Sequence, residues 1–146
     1  MLNILVVHGP NLNLLGKREK NIYGTTNLST INSKIEKKAK SLKISVELFQ
    51  SNHEGEIVDV IGKSEKRFNA IIINPAAYTH TSVAIRDAVS AISIPVIEVH
   101  LTNIYSREEF RQKSLISPVA IGAICGFGAN SYILALEAAV DLCGKV

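Results

Sequence analysis

The sequence contains no tryptophan, and aromatic residues make up only 5% of its 146 residues. Such a shortage argues against a protein that stacks the bases of single-stranded nucleic acid on aromatic side chains. The 16 basic residues exceed the 13 acidic ones by a net charge of only +3, and they are dispersed along the chain. No apolar segment approaches the ~20 residues that a membrane-spanning helix needs. We therefore expect neither a nucleic-acid partner nor a membrane partner.

Several cofactor signatures are also missing. The chain has neither the G-x-G-x-x-G motif of a dinucleotide site nor the P-loop motif of a nucleotide triphosphate site. Its four histidines show no metal-ligand spacing, and neither do its two cysteines, Cys125 and Cys143, which lie in apolar segments. We expect no metal and no cofactor, with both cysteines kept as thiols in a reducing compartment. The segment from Met1 to Val7 has no basic region and is too short for a signal peptide, so we predict a cytoplasmic protein.

Short apolar runs alternate with amphipathic segments along the chain. Hydrophobic residues make up 47% of the sequence, enough for one compact domain over residues 1–146. Five runs are predicted as strands: 2–7, 44–49, 70–73, 95–99 and 119–124. Helices are predicted after the Asn27 cap to Leu42 and over 55–66, 82–92 and 131–142, with a short one near 107–113. Repeated strand–helix units imply an α/β fold whose parallel sheet has helices on both faces, and at this length we choose the flavodoxin-like strand order 2-1-3-4-5.

In this topology ligands bind beyond the carboxyl ends of the strands, near the switch point between strands 1 and 3. The loop after strand 1 runs from His8 to Gly24 and is much longer than the usual βα connection. Gly16 and Gly24 flank its cationic segment Lys17–Lys20, which suits a hinged lid over an anionic ligand. A solvated surface loop is the alternative interpretation. A phosphorelay receiver is excluded because it needs acidic residues at the ends of strands 1 and 3, where His8 and Asn74 stand.

The ends of strands 3 and 4 carry groups suited to acid–base chemistry. Asn74 to Ser82 supplies a carboxamide, an imidazole and hydroxyls at a helix N-terminus, although Thr81 or Ser82 can equally be a simple cap. Glu98 and His100 are two residues apart and therefore lie on one face of a strand, where the carboxylate can orient the imidazole. Arg111 follows within reach and can bind a carboxylate.

Five separate blocks together closely resemble the type II 3-dehydroquinate dehydratases. They are Gly9 to Gly16 with Arg18-Glu19 to Tyr23-Gly24, then Gln50 to Gly55, Asn74 to Ser82, Glu98-Val99-His100 and Arg107 to Arg111. The resemblance implies a flavodoxin-like fold and a homo-oligomer, a dodecamer built from trimers. It implies a hydro-lyase that converts 3-dehydroquinate to 3-dehydroshikimate in the shikimate pathway of aromatic amino-acid biosynthesis, by anti elimination through an enolate. Neither metal, cofactor nor Schiff-base lysine is implied.

The resemblance also implies roles for individual residues. Tyr23 is the expected base for the C2 proton, Arg18 the cation that favours its phenolate, and His100 the acid that protonates the departing hydroxyl. The other expected catalytic residues are Asn11, which stabilises the enolate through a water, and Glu98. The expected substrate-binding residues are Asn74, His80, Asp87, Leu101, Thr102 and Arg111, with Asp87 able to reach a neighbouring subunit's site.

Four positions depart from the family's usual pattern. Lys20, His8, Tyr105 and Ser131 stand where proline, asparagine, histidine and glycine are common. None of them removes an expected catalytic group. One alternative is a non-catalytic module that binds a small carboxylate on the same fold, since a fold alone does not define an activity. A hydrolase with Cys125 as nucleophile is a weaker alternative, because no base lies near it in sequence.

Overall fold

Five parallel strands form one sheet in the order β2-β1-β3-β4-β5. The computed structural model describes residues 1–17, 20–23 and 26–144, and only the backbone of Lys20 and Tyr23. The strands are β1 (Asn3–His8), β2 (Ser45–Gln50), β3 (Ala70–Asn74), β4 (Val96–His100) and β5 (Gly122–Cys125). The predicted α/β class and the strand order 2-1-3-4-5 are confirmed.

Helices cover both faces of this sheet. The described helices are α1 (Lys20–Tyr23), α2 (Leu28–Leu42), α3 (Glu54–Gly62), α4 (Val83–Ala91) and α5 (Asn130–Gly144), of which α2 to α5 pack on the sheet. Because alternate side chains of a strand point to opposite faces, β1 and β3 feed two separate cores. Ile4, Val6 and Ile72 pack with α2 and α5, whereas Leu5 and Ile73 pack with α3 and α4. Within the described residues, no helix has the length and apolar character needed to cross a membrane.

The structure corrects three of the predicted elements. Residues 107–113 do not form an α-helix but contain a single 3-10 turn over Glu109–Arg111, preceded by another over Ile104–Ser106. The fifth strand begins at Gly122 rather than at residue 119, because a turn in which Val119 and Ala120 both donate to the Ile116 carbonyl occupies the start of the apolar run. The predicted helix over 55–66 ends at Gly62 and continues as a 3-10 turn over Ser64–Lys66.

The strand ends are arranged so that two loops leave the sheet side by side. His8 and Asn74, the last residues of β1 and β3, are directly paired in register. The next residue, Gly9, donates its N–H to the Asn74 carbonyl at 2.8 Å. A Cβ atom at Gly9 would lie only 2.6 Å from the Pro75 carbonyl oxygen, so glycine alone allows this close approach. The fold thereby places the loops after β1 and β3 on either side of a common opening.

Candidate active site

A cleft of about 120 Å³ opens at the carboxyl ends of β1, β3 and β4, where the topology predicts a ligand site. Its lining contains cations, imidazoles and carboxamides but no carboxylate among the described residues. The polar lining residues are Asn11, Asn74, His80, His100, Thr102, Arg107 and Arg111. Six of the seven are in the predicted site, and the seventh, Arg107, belongs to its flanking motif. Leu101 lines the cleft as well, so the structure brings most of the expected set together. Such a lining suits a small polar anion.

His100 and Glu98 form a hydrogen-bonded pair at the inner wall of the cleft. Nε2 of His100 lies 2.5 Å from Oε2 of Glu98, as their two-residue spacing on β4 predicts. Glu98 is fully buried, and burial alone would disfavour its charge. Hydrogen bonds from His100, Ser117 and Ser114 outweigh burial, so the pKa of Glu98 is lowered. The carboxylate therefore stays ionised and can stabilise a positively charged His100.

Two serine hydroxyls that were not predicted from the sequence make this buried carboxylate possible. Ser117 donates to Oε1 of Glu98 at 2.7 Å, and Ser114 donates to the same oxygen at 2.9 Å. The hydroxyl of Ser114 also accepts the N–H groups of residues 116 and 117, so its own hydrogen is directed to Glu98. Thr79 lies 3.4 Å from both Glu98 and His100. Two serines three apart in an otherwise apolar segment were the available signal, because a buried carboxylate requires donors.

Asn11 lies at the cleft in a left-handed backbone conformation with φ of 68°. Its N–H donates to Oδ1 of Asn52 at 2.9 Å, and Nε2 of Gln50 donates to the same oxygen at 3.1 Å. Gln50 also contacts the Gly9 carbonyl at 3.2 Å. The segment that follows β2 therefore supports the first turn of the long loop after β1 and fixes the place of Asn11.

Asn74 is almost completely buried at the end of β3, and its carboxamide is held at both ends. Its Oδ1 accepts the Ala76 N–H at 3.1 Å, and its Nδ2 donates to the Tyr132 hydroxyl at 3.1 Å. Tyr132 is bonded in turn to Nδ1 of His8 at 2.9 Å. Burial raises the pKa of Tyr132 and lowers the pKa of His8 to about 4, so both groups are neutral near pH 7.

His80 and Arg111 form the outer polar wall of the cleft. Nδ1 of His80 donates to the Lys113 carbonyl at 2.8 Å, which leaves Nε2 as the ring nitrogen available to a ligand. Nε of Arg111 donates to Glu108 at 2.6 Å. Within the described part of the chain, the two terminal amino groups of Arg111 are not hydrogen-bonded and can bind an anion.

Not every predicted residue is placed in this cleft. Asp87 is exposed on α4 and does not line it. Arg18 lies outside the described residues, and only the backbone of Tyr23, at the end of α1, is described. Cys125 does not line the cleft either, which weakens the hydrolase alternative. Among the residues that the structure describes, no three potential ligands are grouped as a metal would require.

Comparison with known proteins identifies the family. The sequence model of the dehydroquinase class II family matches residues 2–140 of this chain. A 3-dehydroquinate dehydratase of Trichodesmium erythraeum is 57% identical over 97% of this chain and 94% of its own length. One from Halothermothrix orenii is 54% identical over 99% of this chain and 98% of its own. The crystal structure of the type II dehydroquinase of Butyrivibrio crossotus superposes with a TM-score of 0.93, at 49% identity, and covers 94% of this chain and 97% of that one. This chain therefore belongs to the class II dehydroquinase family.

Proposed function

We propose that this protein is a hydro-lyase that dehydrates 3-dehydroquinate to 3-dehydroshikimate, the dehydration step of the shikimate pathway. Family membership supports this reaction, since the relatives are 3-dehydroquinate dehydratases. The structural observation that carries the proposal is the pair of Glu98 and His100 facing a cleft lined by arginines. A module that only binds a carboxylate needs the arginines but has no use for a buried acid–base pair behind them.

The first chemical step removes the C2 proton next to the ketone and produces an enolate. We assign this step to the phenolate of Tyr23, with Arg18 as the neighbouring cation that lowers the tyrosine's pKa from its ordinary value of about 10. Both assignments follow from the resemblance. Asn11 lies at the cleft and is assigned to stabilise the enolate oxygen through a water. A developing negative charge needs donors that are already in place, and the fixed loop around Asn11 supplies one.

The second step expels the C1 hydroxyl on the opposite face, as water. Hydroxide is a poor leaving group, so a proton must arrive as the carbon–oxygen bond breaks. Because Nε2 of His100 donates to Glu98, the proton that is transferred resides on Nδ1, and the acid is the doubly protonated imidazolium. The ionised Glu98 stabilises this form and keeps the ring oriented. The proton taken up by Tyr23 returns to His100 through solvent after each turnover.

The remaining lining residues bind the substrate in this proposal. Arg111 holds the substrate carboxylate, while Asn74, His80, Leu101 and Thr102 contact its oxygen atoms from the inner and outer walls. Asp87 lies away from this cleft, so we assign it to the site of a neighbouring subunit.

The direct test is to incubate the purified protein with 3-dehydroquinate and record the ultraviolet absorbance of the conjugated enone product. We expect the product to form without added metal, in the presence of a chelator and after borohydride treatment with substrate. Loss of activity with chelator that a divalent ion restores would contradict the cofactor-free mechanism. Binding of 3-dehydroquinate without product would instead favour the carboxylate-binding module.

We further propose that residues 1–146 act as one catalytic domain within a homo-oligomer, a dodecamer, in the cytoplasm. The family resemblance supports the dodecamer, and the two free cysteines suit a reducing compartment. Light scattering of the active protein should give the mass of twelve chains. A monomer with full activity at the same dilution would refute this assembly.

A further inference from the structure

A relay of four hydrogen-bonded side chains crosses the core from α2 to the cleft: Asn32, which is half-buried, and His8, Tyr132 and Asn74, which are buried. Nε2 of His8, on β1, lies 2.8 Å from Oδ1 of Asn32 on α2, and Nδ1 lies 2.9 Å from the hydroxyl of Tyr132 on α5. Tyr132 accepts from Asn74 at 3.1 Å, and Asn74 lines the cleft. His8 and Tyr132 are at most 1% exposed. None of His8, Tyr132 and Asn32 belongs to the catalytic or substrate-binding set described above.

The direction of the hydrogen bonds in this relay follows from the Ala76 N–H at one end and from Oδ1 of Asn32 at the other. The N–H of Ala76 can only donate, so the Asn74 atom that it contacts must be the carbonyl oxygen. The amide nitrogen of Asn74 must then donate to Tyr132, whose single hydrogen goes to Nδ1 of His8. His8 is neutral because burial lowers its pKa to about 4, so its proton resides on Nε2 and is donated to Asn32. Each side chain of the relay therefore donates to the next in one direction, from Asn74 to Asn32.

We propose that Asn32, His8 and Tyr132 are positioning residues that hold the carboxamide of Asn74 as a hydrogen-bond donor to an oxygen of the substrate. This inference rests on the proposed function. With Oδ1 bound to Ala76 and one hydrogen of Nδ2 bound to Tyr132, the plane of the amide is fixed at both ends. The second hydrogen of Nδ2 is the one that remains for a ligand. Reversal of the amide would place its nitrogen against the Ala76 N–H and its oxygen against a Tyr132 hydroxyl whose only hydrogen is already donated to His8.

The location of the relay favours a role at the site over simple packing. The surrounding core of α2, α5 and the sheet is otherwise apolar, and burial of polar groups there is unfavourable unless each one is satisfied. An apolar pair in place of His8 and Tyr132 would fill the same volume. The relay instead ends at Asn74, the last residue of β3, which is paired with the last residue of β1.

The test compares two variants that break the relay with one that keeps a hydrogen-bond acceptor for Tyr132. Tyr132→Phe and His8→Leu remove the relay, and we expect kcat/KM for 3-dehydroquinate to fall about tenfold, mainly through KM, as expected when one neutral hydrogen bond no longer holds a binding group. His8→Asn keeps an acceptor close to the position of Nδ1 and should recover most of the activity. Ile35→Val is the control, because Ile35 is buried on the same helix as Asn32 and does not line the cleft. It should keep wild-type kinetics despite a lower stability.

A double-variant cycle separates positioning of Asn74 from a general effect. In an Asn74→Ala background, Tyr132→Phe should cause no further loss of kcat/KM, because the relay acts only through Asn74. Full activity of Tyr132→Phe, or losses that multiply in the double variant, would overturn the proposal. These outcomes require a wild type that dehydrates 3-dehydroquinate, and a wild type that does not would reject the proposed function instead.

Nuclear magnetic resonance tests the hydrogen bonds of the relay without a measurement of activity. Nitrogen-15 spectra of His8 should show a hydrogen on Nε2 and none on Nδ1 at neutral pH. The side-chain amide hydrogens of Asn74 should exchange slowly with solvent and faster in Tyr132→Phe, whereas Ile35→Val should leave them unchanged. A hydrogen on Nδ1, or exchange that Tyr132→Phe does not alter, would refute the relay.

Discussion

Glu98 shows how a single buried residue determines what its neighbour can do. It has no exposed surface, yet its oxygens receive hydrogen bonds from His100, Ser114 and Ser117, and its pKa is lowered in spite of burial. A neutral side chain of the same shape would occupy the site but would no longer stabilise an imidazolium. The charge of Glu98, more than its packing, is what the proposed acid requires.

We therefore expect Glu98→Gln to lower kcat about 100-fold, within the range typical of a lost general acid. The unfolding free energy should change much less, because the amide oxygen can still accept from Ser114 and Ser117 while the amide nitrogen donates to Nε2 of a neutral His100. Steady-state kinetics with 3-dehydroquinate measure the effect. Glu47→Gln is the matched control, since Glu47 is a half-exposed carboxylate on β2 that pairs with Arg67. Equal kcat values for the two variants would contradict the role of Glu98.

Gly9 carries a second prediction at the scale of one residue. A Cβ there would meet the Pro75 carbonyl oxygen at 2.6 Å, so Gly9→Ala must push apart the loops after β1 and β3. We expect a loss of about 1–3 kcal/mol in the free energy of unfolding, with lower activity because Asn11 and Asn74 move. Gly55→Ala is the control: a Cβ there meets nothing within 4 Å, and α3 should gain about 0.5–1 kcal/mol. Denaturant titration of both variants tests the contrast.

At the scale of elements, α2 has a favourable beginning and an unfavourable end. Asn27 caps its first turn by accepting the Thr30 N–H at 2.9 Å, as the sequence predicted. Its last residue is followed by Lys43, which adopts a left-handed conformation with φ of 59° while its N–H bonds back to the helix. Glycine is the residue usually found at this position because it has no Cβ to strain.

Lys43→Gly should therefore stabilise the protein by up to about 1 kcal/mol. The matched variant is Lys40→Gly, which lies in the right-handed last turn of the same helix and should destabilise by about 1 kcal/mol. Both changes remove one lysine, so their electrostatic effects are similar. Thermal unfolding at fixed protein concentration gives the comparison. Shifts of the same sign in both variants would show that backbone conformation is not the cause.

Elements with a clear period were predicted from the sequence, and those defined by loop contacts were not. Helix α2 was predicted from its apolar spacing and its cap, and β1 from an unbroken apolar run. The apolar run before β5 had the same appearance, but Ile116 binds two N–H groups of that run in a turn. The 3-10 segment over Ala76–His80 likewise depends on the left-handed Ala76, whose N–H is bound by Asn74. Single turns of this kind, each set by one or two local hydrogen bonds, leave no period in a sequence.

In the candidate site, too, residues on regular strands were predicted from the sequence and residues of irregular segments were missed. The pairing of Glu98 with His100 followed from their spacing on one strand, and the place of Asn74 from the strand order. Ser114 and Ser117 were missed because they reach Glu98 from a segment with no regular structure. His8 was noted as a departure from the family pattern, but its contacts with Asn32 and Tyr132 join three elements that are far apart in the chain.

At the scale of the whole molecule, His8 makes stability depend on pH. In the folded protein its pKa is about 4, against about 6.5 in an unfolded chain. Between these values the unfolded state binds a proton that the folded state excludes, so stability falls as the pH decreases through this window. Above pH ~6.5 both states are neutral at this residue and the contribution disappears. Glu98, whose pKa is lowered in the folded state, contributes stability above the ordinary carboxyl pKa of about 4.5, and this contribution is lost as the pH falls from there through the folded-state pKa.

We expect the wild type to lose about 3 kcal/mol of unfolding free energy from this single histidine as the pH falls from ~6.5 to ~4. His8→Asn lacks the titrating group but retains an acceptor for Tyr132, so its stability should vary less over the same range. The difference between the two proteins should be constant above neutrality and should shift in favour of the variant as the pH falls. Urea titrations at one protein concentration measure it, because an oligomer's apparent stability depends on concentration. Parallel curves for both proteins from pH 7 to 4 would show that His8 accepts a proton in the folded core, and the one-way relay to Asn74 would then lose its basis.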